Sequence, residues 1–560
     1  MNNRFYILIF SFLILTYSAA LGQGEFVVES SDIDDAEIFI EKKTVLKLPV
    51  ASRIFEQMKK IESGKISTTQ TYTLDLIPYK LEDIDPEIPA AGARRITEDP
   101  ADRFYLAAGI GNYVSPYLDA FAGTGESDKY RAGVGLYHFS SFLGPVDGRN
   151  SESGTSQIDL FGEYFTSIGK FGAKAGFENR TVNFYGYADT LSNEVGFDAK
   201  AIRDSIKQSF NTIYGGITHE FDSESTFKIN TAVNFYSFSD KYNAEEINLH
   251  IKTQPGIKLS DEMGVEVALE FILNKRTDTN ELNRNLLKAR PLFHLNKEKL
   301  QLQIGAGIAY NGDTTLTDKE FYIYPHLEAA YQVIENRFAV ELSVIGDLKQ
   351  QTLRGFTERN PFVKADLPLA HTDEALKSQL TLLITPINNF GVKLGGSYAL
   401  QKNQYFFVND FADATRFNIL YEPENIGTLR AFGEMNAQFG GFRAILRESF
   451  YNYNLGEKVL EAWHRPDLFG ELLLQYNHQN KINVSVDFYH MNGLTAFDPQ
   501  TNSAVAMDDI IDLNLNGEYA INESITAFVK FRNLLAQKYQ RYYHYPVRGV
   551  TVLAGGSISF

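Results

Sequence analysis

Apolar and polar residues alternate along most of the chain, from about residue 103 to its end. In one such segment the apolar positions are Leu300, Leu302, Ile304, Ala306, Ile308 and Tyr310, separated by Gln301, Gln303, Gly305, Gly307 and Ala309. Because successive side chains of a β-strand point to opposite faces, each segment predicts a strand with one apolar and one polar face. Several polar positions carry charge, so we expect that face to contact water.

The same alternation marks 22 segments, most of them 9 to 17 residues long. They cover residues 103–111, 115–123, 129–143, 155–166, 168–180, 208–220, 225–238, 245–257, 263–275, 284–295, 298–310, 319–332, 335–348, 375–387, 390–406, 427–439, 441–454, 466–478, 480–494, 507–520, 522–535 and 546–560. Strands of this length are sufficient to cross a bilayer at a tilt.

The connections between these segments alternate between short and long. The long ones are 181–207, 349–374, 407–426, 455–465, 495–506 and 536–545. Alternation places the long loops at one end, as in bacterial transmembrane barrels, which also have even strand numbers. A soluble propeller or sandwich would show a fixed repeat or continuous apolar runs, which we do not find. The pattern therefore predicts an all-β protein, a transmembrane antiparallel β-barrel of about 22 strands over residues 103–560.

The N-terminal region divides into two parts. Residues 1–22 have the features of a secretory signal peptide: Arg4 is positive, the following residues are apolar, and Ala20 and Gly22 are small. An uncleaved anchor helix is the alternative, but the apolar run is short for a membrane span. Residues 23–102 follow as an extended segment, which we expect to be periplasmic or to fill the barrel lumen.

The composition narrows the class and the location. Hydrophobic residues make up 44% of the 560, and the mean hydropathy is -0.23, which excludes a polytopic helical membrane protein. The formal net charge of -17 argues against binding nucleic acid, which needs a basic surface. The chain has no cysteine, which excludes disulfides and thiolate ligands. An exported chain without disulfides suits a bacterial envelope at least as well as a eukaryotic secretion route. Together with the barrel pattern, this predicts a location in the outer membrane of a Gram-negative cell, in contact with its lipid.

The last 40 residues contain a motif that resembles the C-terminal end of TonB-dependent receptors. The motif consists of Phe531-Arg532-Asn533-Leu534-Leu535, Lys538-Tyr539 and Tyr545-Pro546-Val547-Arg548-Gly549, followed by a last strand to Phe560. The resemblance implies an outer-membrane receptor barrel over residues 103–560. It also implies that Phe560, which closes an alternating strand, is the signal that the barrel-assembly machinery recognises.

The N-terminal segment departs from that family. TonB-dependent receptors carry a plug domain, which needs about 100 residues or more. Residues 23–102 are fewer and do not resemble a plug, although Glu25-Phe26-Val27-Val28-Glu29 resembles a TonB box, a peptide that adds a strand to its partner. A 22-stranded lumen is normally plugged. We expect part of residues 66–102 to fill it, with inward-folded long loops or another protein as alternatives.

No motif for catalysis or cofactor binding is present. The ten histidines are scattered and Gly-x-Ser-x-Gly is absent, so we predict that the protein is not an enzyme, has no catalytic residue and needs no cofactor or metal. Acidic clusters in loops offer oxygen ligands for calcium, but solvated loops explain them better. The clusters are Asp410 to Asp413, Asp508-Asp509 and Glu422-Pro423-Glu424.

Aromatic residues near segment ends are candidates for girdles at the two membrane interfaces, and loop packing explains each of them equally well. They are Tyr164-Phe165, Phe184-Tyr185, Phe321-Tyr322, Tyr405-Phe406-Phe407 and Tyr542-Tyr543. Trp463 is predicted to be an interfacial anchor, with an external binding surface as the alternative. The charges expected to face the lumen are mixed in sign and identify no ligand. They are Lys228, Glu266, Glu270, Arg430, Glu434, Asp487, Asp512, Glu518, Lys530 and Arg532.

The resemblance implies uptake of a bulky solute across the outer membrane, with a TonB-type protein or a surface lipoprotein as partner. The missing plug favours an alternative, a non-transport subunit of a larger outer-membrane assembly in protein export or in the biogenesis of outer-membrane proteins and lipoproteins. A passive porin is the third possibility, which an occluded lumen would exclude. The sequence identifies no substrate-binding residue.

Overall fold

The computed structural model describes residues 104–124, 129–187, 201–221, 226–278, 281–313 and 319–560. These residues belong to one compact unit. The predicted signal peptide, the 23–102 segment and its TonB-box-like peptide lie outside the described residues. No helix within the described ranges combines the length and the apolar character needed to cross a membrane.

Within these ranges the chain forms 22 long strands, β1 to β22, each antiparallel to its neighbours. Their bounds are Phe104–Gly111 (β1), Ser115–Gly123 (β2), Tyr130–Ser141 (β3), Ser153–Thr166 (β4), Gly169–Asn183 (β5), Lys207–Glu220 (β6), Phe227–Asp240 (β7), Glu245–Lys258 (β8), Met263–Thr277 (β9), Leu286–Lys297 (β10), Leu300–Asn311 (β11), Phe321–Ile334 (β12), Phe338–Lys349 (β13), Thr372–Ile387 (β14), Phe390–Lys402 (β15), Ile426–Phe439 (β16), Phe442–Asn454 (β17), Leu468–His478 (β18), Ile482–Asn492 (β19), Ile510–Ala520 (β20), Ile525–Arg532 (β21) and Thr551–Ser559 (β22). Each coincides with a predicted segment, with ends that differ by a few residues.

The first and last strands pair and close the sheet into a barrel. The register between β1 and β22 runs from Tyr105 opposite Ser559 to Gly111 opposite Leu553. An even number of antiparallel strands brings these two together in the antiparallel sense. Closure removes the free sheet edges, which is the condition for a sheet to lie in hydrocarbon. The predicted antiparallel barrel of about 22 strands is confirmed.

The alternation along each strand separates an apolar outer face from a polar inner face. On β11, Ile304 is 48% exposed on the outer face, whereas Gln303 is 8% exposed on the inner face. Inward-facing charges pair across strands: Arg447 contacts Glu434 at 3.1 Å and Glu471 at 3.0 Å. An apolar outer band around a polar interior is what a bilayer-spanning barrel presents.

The long connections emerge at one end of the barrel and contain the remaining regular structure. They include a 3-10 helix, two α-helices and short strands. These are Arg149–Ser151 (3-10), Arg203–Ile206 (α1), Leu353–Arg359 (α2), Glu281–Asn283, Gln404–Asn409, Phe417–Glu422, Thr495–Asp498, Ser503–Ala506, Gln540–Tyr542 and Tyr545–Pro546. The sequence pattern did not predict these elements, because each is too short to show a period.

One predicted strand is shorter than expected. The alternation over 390–406 predicts a continuous strand, but Asn403 has a φ of 52° and β15 ends at Lys402. Asparagine tolerates this left-handed conformation better than most residues. Residues Gln404–Asn409 then pair with Phe417–Glu422 in a separate hairpin. The apolar pattern continues through the bend, so it could not reveal the break.

Candidate functional site: a loop cap over the barrel mouth

Three long loops at one end of the barrel pack against each other. We call residues 350–371 the lid, residues 403–425 the hairpin loop and residues 533–550 the terminal loop, and the three together the cap. Their side chains share one buried apolar cluster with residues of β6 and β7 and with Ala244. Its members are Phe210, Phe238, Ala244, Leu353, Phe356, Val363, Leu367, Leu369, Ala370, Tyr405, Phe407, Phe417, Ile419, Tyr421, Tyr542 and Tyr545.

The cap lies on the lumen side of the barrel wall. Phe210 of β6 and Phe238 of β7 belong to the cluster and are each 1% exposed. On the same strands Ile213 and Phe235, which have the opposite parity, are exposed on the outer face. Since parity decides the face of a strand residue, Phe210 and Phe238 point inward. The three loops therefore fold into the mouth of the lumen, one of the three fillings expected from the sequence.

The lid begins with a short helix whose N-terminus contacts the barrel wall. The Thr352 side chain caps α2 and accepts a hydrogen bond from the Gly355 N–H at 3.0 Å. Glu246 of β8, which is fully buried, accepts from the Leu353 N–H at 2.8 Å. A carboxylate at this position satisfies helix N–H groups that have no partner within the helix and interacts favourably with the helix dipole. Glu246 thus holds one end of the lid against the lumen wall.

A buried arginine fastens the lid at both of its ends. Arg284 is 0% exposed and lies just before β10. Its Nε donates to Asp313 at 2.6 Å, and another of its nitrogens donates to the Gln351 carbonyl at 2.7 Å. It also lies 3.3 Å from Nδ1 of His371, the last lid residue. Charge-assisted hydrogen bonds of this kind are stronger than neutral ones.

Arg276, at the end of β9, holds the middle of the lid. It is 1% exposed, and its guanidinium donates to the backbone carbonyls of Ala365 at 3.0 Å and of Leu367. Asp278 pairs with it on the other side. The sequence reasoning did not single out Arg276, Arg284 or Glu246. The sequence contains little that could have identified them: only the alternation along the strands marks Glu246 and Arg276 as inward-facing residues near strand ends.

His371 is neutral in the closed cap. Burial lowers the pKa of this imidazole well below its usual value, and the nearby Arg284 guanidinium lowers it further. The Gln351 N–H donates to Nδ1 at 3.2 Å, so this nitrogen must be unprotonated. The Asp313 carboxylate lies 3.7 Å from Nε2. The closed arrangement therefore selects the uncharged form of His371.

The other two loops form hydrogen bonds with the lid. Tyr421 of the hairpin loop accepts a hydrogen bond from the Ala370 N–H at 3.0 Å, and burial raises the pKa of Tyr421 to about 12. Tyr542 of the terminal loop donates to the Arg359 carbonyl at 2.6 Å. The lid is thus bonded on one side to the wall and on the other to both neighbouring loops.

The motif that carries the family resemblance builds the terminal loop. Asn533 has a φ of 50°, and its side-chain amide donates to the carbonyls of Gln537 and Arg548 at 2.8 Å each. Tyr539 donates to Asp512 of β20 at 2.6 Å. Asn533 of the motif therefore shapes the terminal loop, and Tyr539 ties the loop to the lumen wall.

The charges predicted to face the lumen lie on the inner faces of their strands. Glu266 pairs with His294 at 3.0 Å and Glu270 with Lys252 at 3.7 Å. Lys530 lies 4.9 Å from the centroid of the Tyr117 ring. Most positive and negative charges are thus engaged with neighbouring strands, and their mixture favours no particular ligand charge.

Trp463 is not an interfacial anchor. Its side chain is 4% exposed and packs with Phe406, Ile426 and Val459 in a second loop cluster. Its ring also makes an edge contact with Phe497, with centroids 5.7 Å apart. The anchor prediction is wrong because the loop folds inward and buries the ring in protein instead of presenting it to lipid.

The girdle candidates divide into two groups. Tyr164 and Phe321 are exposed on the outer face, as a girdle requires, whereas Phe165, the neighbour of Tyr164 on β4, faces inward. In contrast, Phe184, Tyr405, Phe406, Phe407 and Tyr542 are buried, Tyr185 packs against the cap core, and Tyr322 faces inward. Aromatic residues at strand ends belong either to a girdle or to a loop core, and only the path of the loops decides between the two.

Two of the three acidic clusters contain a residue with structural partners. Glu422 is 0% exposed, and its carboxylate accepts from the N–H groups of Lys458 and Val459 at 3.1 and 3.0 Å. Asp410 pairs with Lys364 of the lid at 3.2 Å. Within the described ranges, no group of three or more acidic or histidine side chains is arranged to hold a metal ion. The solvated-loop prediction is therefore wrong for Glu422, whose carboxylate is buried and holds two loops together, whereas Glu424 and the Asp508-Asp509 pair are exposed, as that prediction requires.

Phe560 ends the chain next to the start of the barrel. Its backbone N–H donates to the Phe104 carbonyl at 3.1 Å, and the two rings are 5.0 Å apart. The Phe560 side chain is 66% exposed. The assembly signal remains a prediction, for which an exposed aromatic terminus at the barrel seam is a suitable position.

Comparisons with known proteins identify the fold. No protein-family model matches the sequence, and no curated protein matches it either. Among solved structures, the FrpB iron transporter of Neisseria meningitidis aligns over 82% of this chain and 81% of its own, with a TM-score of 0.64 and 8% identity. The siderophore receptor PirA of Acinetobacter baumannii gives 0.61 and 11% identity over 82% and 80% of the two chains. The ferric-catecholate import receptor Fiu of E. coli K12 gives 0.59 and 8% identity over 82% of each.

Identities this low establish a shared fold and leave the ligand open. The strand number, the closure of the barrel and the coverage of 80–82% of each chain agree with the resemblance drawn from the C-terminal motif. The described part of this chain therefore has the 22-strand barrel fold of TonB-dependent outer-membrane receptors.

Proposed function

We propose that this protein is an outer-membrane receptor that takes up a bulky solute through its barrel. One observation carries the proposal: three long loops fold into the mouth of a 22-strand lumen and pack there around a buried apolar core. A passive porin needs an open channel. A receptor, by contrast, benefits from a mouth that is closed at rest and moves when a solute binds. The cap therefore favours gated uptake over passive diffusion.

The first solutes to test follow from the similar solved structures. The similar solved structures are described as iron or siderophore receptors, which makes ferric chelates the first probes to try. The lumen charges are mixed in sign and do not select an anionic or a cationic solute. We further propose that a TonB-type protein drives uptake by pairing with residues 25–29, and that part of residues 66–102 closes the lumen below the cap.

Dye release from liposomes tests whether the barrel is a closed route. The full-length protein, a variant with the lid loosened by Arg284→Met, a variant lacking residues 25–100, and the combination are reconstituted into liposomes loaded with calcein. We expect retention in the full-length protein and the fastest release in the combination, because the two closures act in series. Release from the full-length protein would indicate a porin. Retention by the combined variant would refute uptake through the lumen.

Coupling is tested separately in cells. We expect accumulation of a radio-iron-labelled catecholate siderophore to require residues 25–29 and an energised inner membrane. A variant with residues 25–29 in scrambled order is the matched control for chain length. Equal accumulation by a variant lacking residues 25–29, by the scrambled variant and by the unaltered protein would refute the TonB coupling.

A further inference from the structure

One carboxylate of the barrel wall points outward, away from the lumen. Glu448 of β17 lies opposite Gly433 of β16 and opposite Gly470 of β18. Its strand neighbour Arg447 faces the lumen, where it pairs with Glu434. Because adjacent strand residues face opposite sides, Glu448 lies on the outer surface.

The height of Glu448 places it within the apolar band. Phe442, on the same face and next to the short turn, is 39% exposed and marks the lower girdle. Glu448 is six residues further along β17. At about 3.3 Å per residue and a tilt of about 40°, it lies roughly 15 Å above Phe442, inside a band about 25 Å tall. Its outward neighbours along the strand, Leu446 and Phe450, are apolar.

The partner of Glu448 reaches it across a glycine. His490 of β19 lies opposite Gly470 and points outward as well, and its Nε2 is 3.1 Å from the Glu448 carboxylate. A methyl group on residue 470 would collide with both side chains. The other ring nitrogen of His490 lies 2.9 Å from the amide oxygen of Asn492. The strand between the two residues therefore has to carry glycine for the pair to form.

Such a pair is costly to expose to hydrocarbon. Ionisable groups within a membrane are rare and typically mark functional sites or contacts with protein. Between membrane helices, small residues allow close approach and polar side chains form hydrogen bonds across the contact, and the same two features occur together in this patch. In the free barrel the Glu448 and His490 side chains are still 20% and 18% exposed. A partner that covers them would replace lipid with hydrogen-bonding groups.

We propose that the patch formed by Glu448, Gly470 and His490 is a contact surface for a second copy of this chain. Two copies inserted in the same direction are related by a two-fold axis along the membrane normal. With the axis over Gly470, Glu448 of each copy faces His490 of the other. The patch carries an acid on one side of Gly470 and an imidazole on the other, so it is complementary to itself under this two-fold rotation.

The choice of a second copy follows from this symmetry. A phosphorylated lipid headgroup would favour a cluster of cations, whereas the patch contains one acid and one imidazole. A different membrane protein would need a matching acid and base of its own, which only coincidence would supply. The proposal does not rest on the proposed uptake, since a dimer is compatible with any function of the barrel.

Cross-linking in native outer membranes tests the interface. The chain has no cysteine, so a single introduced one reports alone. Leu472→Cys places the reporter two residues from Gly470 on the outer face of β18. Ile213→Cys, on the outer face of β6 and 60% exposed, is the matched control on a distant wall. With a membrane-soluble oxidant, we expect a disulfide-linked dimer from Leu472→Cys and none from Ile213→Cys.

The ion pair is then tested in the Leu472→Cys background. Glu448→Gln is expected to remove most of the dimer band, and exchanging the two residues (Glu448→His with His490→Glu) is expected to restore it. Heat-modifiable mobility on electrophoresis confirms that each variant is a folded barrel. Equal cross-linking from the two cysteine sites would overturn the proposal. A product with the mass of a different protein, or cross-linking that is unchanged by Glu448→Gln, would overturn it as well.

Discussion

Replacing Arg284 with methionine should open the lid without unfolding the barrel. The substitution keeps most of the length of the side chain and removes its charge. It leaves Asp313, which is 4% exposed, buried without the guanidinium that lies 2.6 Å away. It also removes the hydrogen bond to the Gln351 carbonyl at the start of the lid.

The size of the effect follows from this geometry. Removing one partner of a buried ion pair costs about 3–5 kcal/mol, because the remaining charge stays desolvated. Opening the lid hydrates Asp313 and relieves this cost, so the penalty falls on the closed state. At about 1.4 kcal/mol per factor of ten, the open state should become roughly 10² to 4 × 10³ times more populated. The strands keep their pairing, because Arg284 lies outside β9 and β10.

Hydrogen exchange of the lid amides measures this population. The Phe356 and Asn360 amides report on α2, since they donate to the carbonyls of Thr352 and Phe356 at 3.0 and 2.8 Å. Arg447→Met is the matched control. It removes a lumen-facing arginine of the barrel wall that also has two carboxylate partners but lies away from the lid. We expect faster exchange at the lid in Arg284→Met and unchanged exchange in Arg447→Met.

Two results would refute this reasoning. Unchanged lid protection in Arg284→Met would mean that the apolar core alone holds the cap closed. Loss of protection throughout β9 to β11 would mean that Arg284 supports the barrel and is not a lid fastener.

Three further outcomes are expected. The protection of the lid amides, corrected for intrinsic exchange, should be full above about pH 6.5 and should fall below it, because the closed state lowers the pKa of His371 and protonation favours the open lid. His371→Gln should abolish this pH dependence. A flat profile in the unaltered protein would contradict the prediction. Trp463→Ala should destabilise the loops that form its cluster by about 3–5 kcal/mol, the cost of emptying a large buried site. Hydrogen exchange should become faster over 455–467 and stay unchanged in the lid. Protection of 455–467 equal to that of the unaltered protein would show that the ring contributes little. Deleting Phe560 should reduce the fraction of heat-modifiable, folded barrel in outer membranes, whereas Phe560→Tyr should not, and equal folded fractions would exclude the assembly signal.

The barrel was predictable because its information is local. The alternation within each strand identifies its two faces: Ile304 and Gln303 are neighbours in sequence and lie on opposite sides of the wall. A one-residue error would turn every apolar side chain into the lumen, so the pattern has to be strict. The short and long connections then set which end carries the loops. All 22 strands followed from these two features.

The cap was not predictable in the same way. Phe407 and Tyr542 carry the same aromatic signal as the exposed Tyr164, yet they are buried in the mouth of the barrel. The aromatic signal of Trp463 predicts the membrane interface, yet this ring is buried in a loop cluster as well. Loop residues have no period, and their burial depends on which distant segments meet them. Arg284, for example, acts through partners 29 and 67 positions away in sequence.

The sequence by itself determined the number, order and facing of the strands, because strand pairing between neighbours repeats one short-range rule along the chain. Only the tertiary structure decided that the long loops turn inward, that Glu246, Arg276 and Arg284 fasten the lid, and that Glu448 meets His490 across Gly470 on the outer wall. These contacts join residues far apart in sequence. Their energies come from burial and charge pairing, which exist only once the barrel has closed and brought the two partners to the same place.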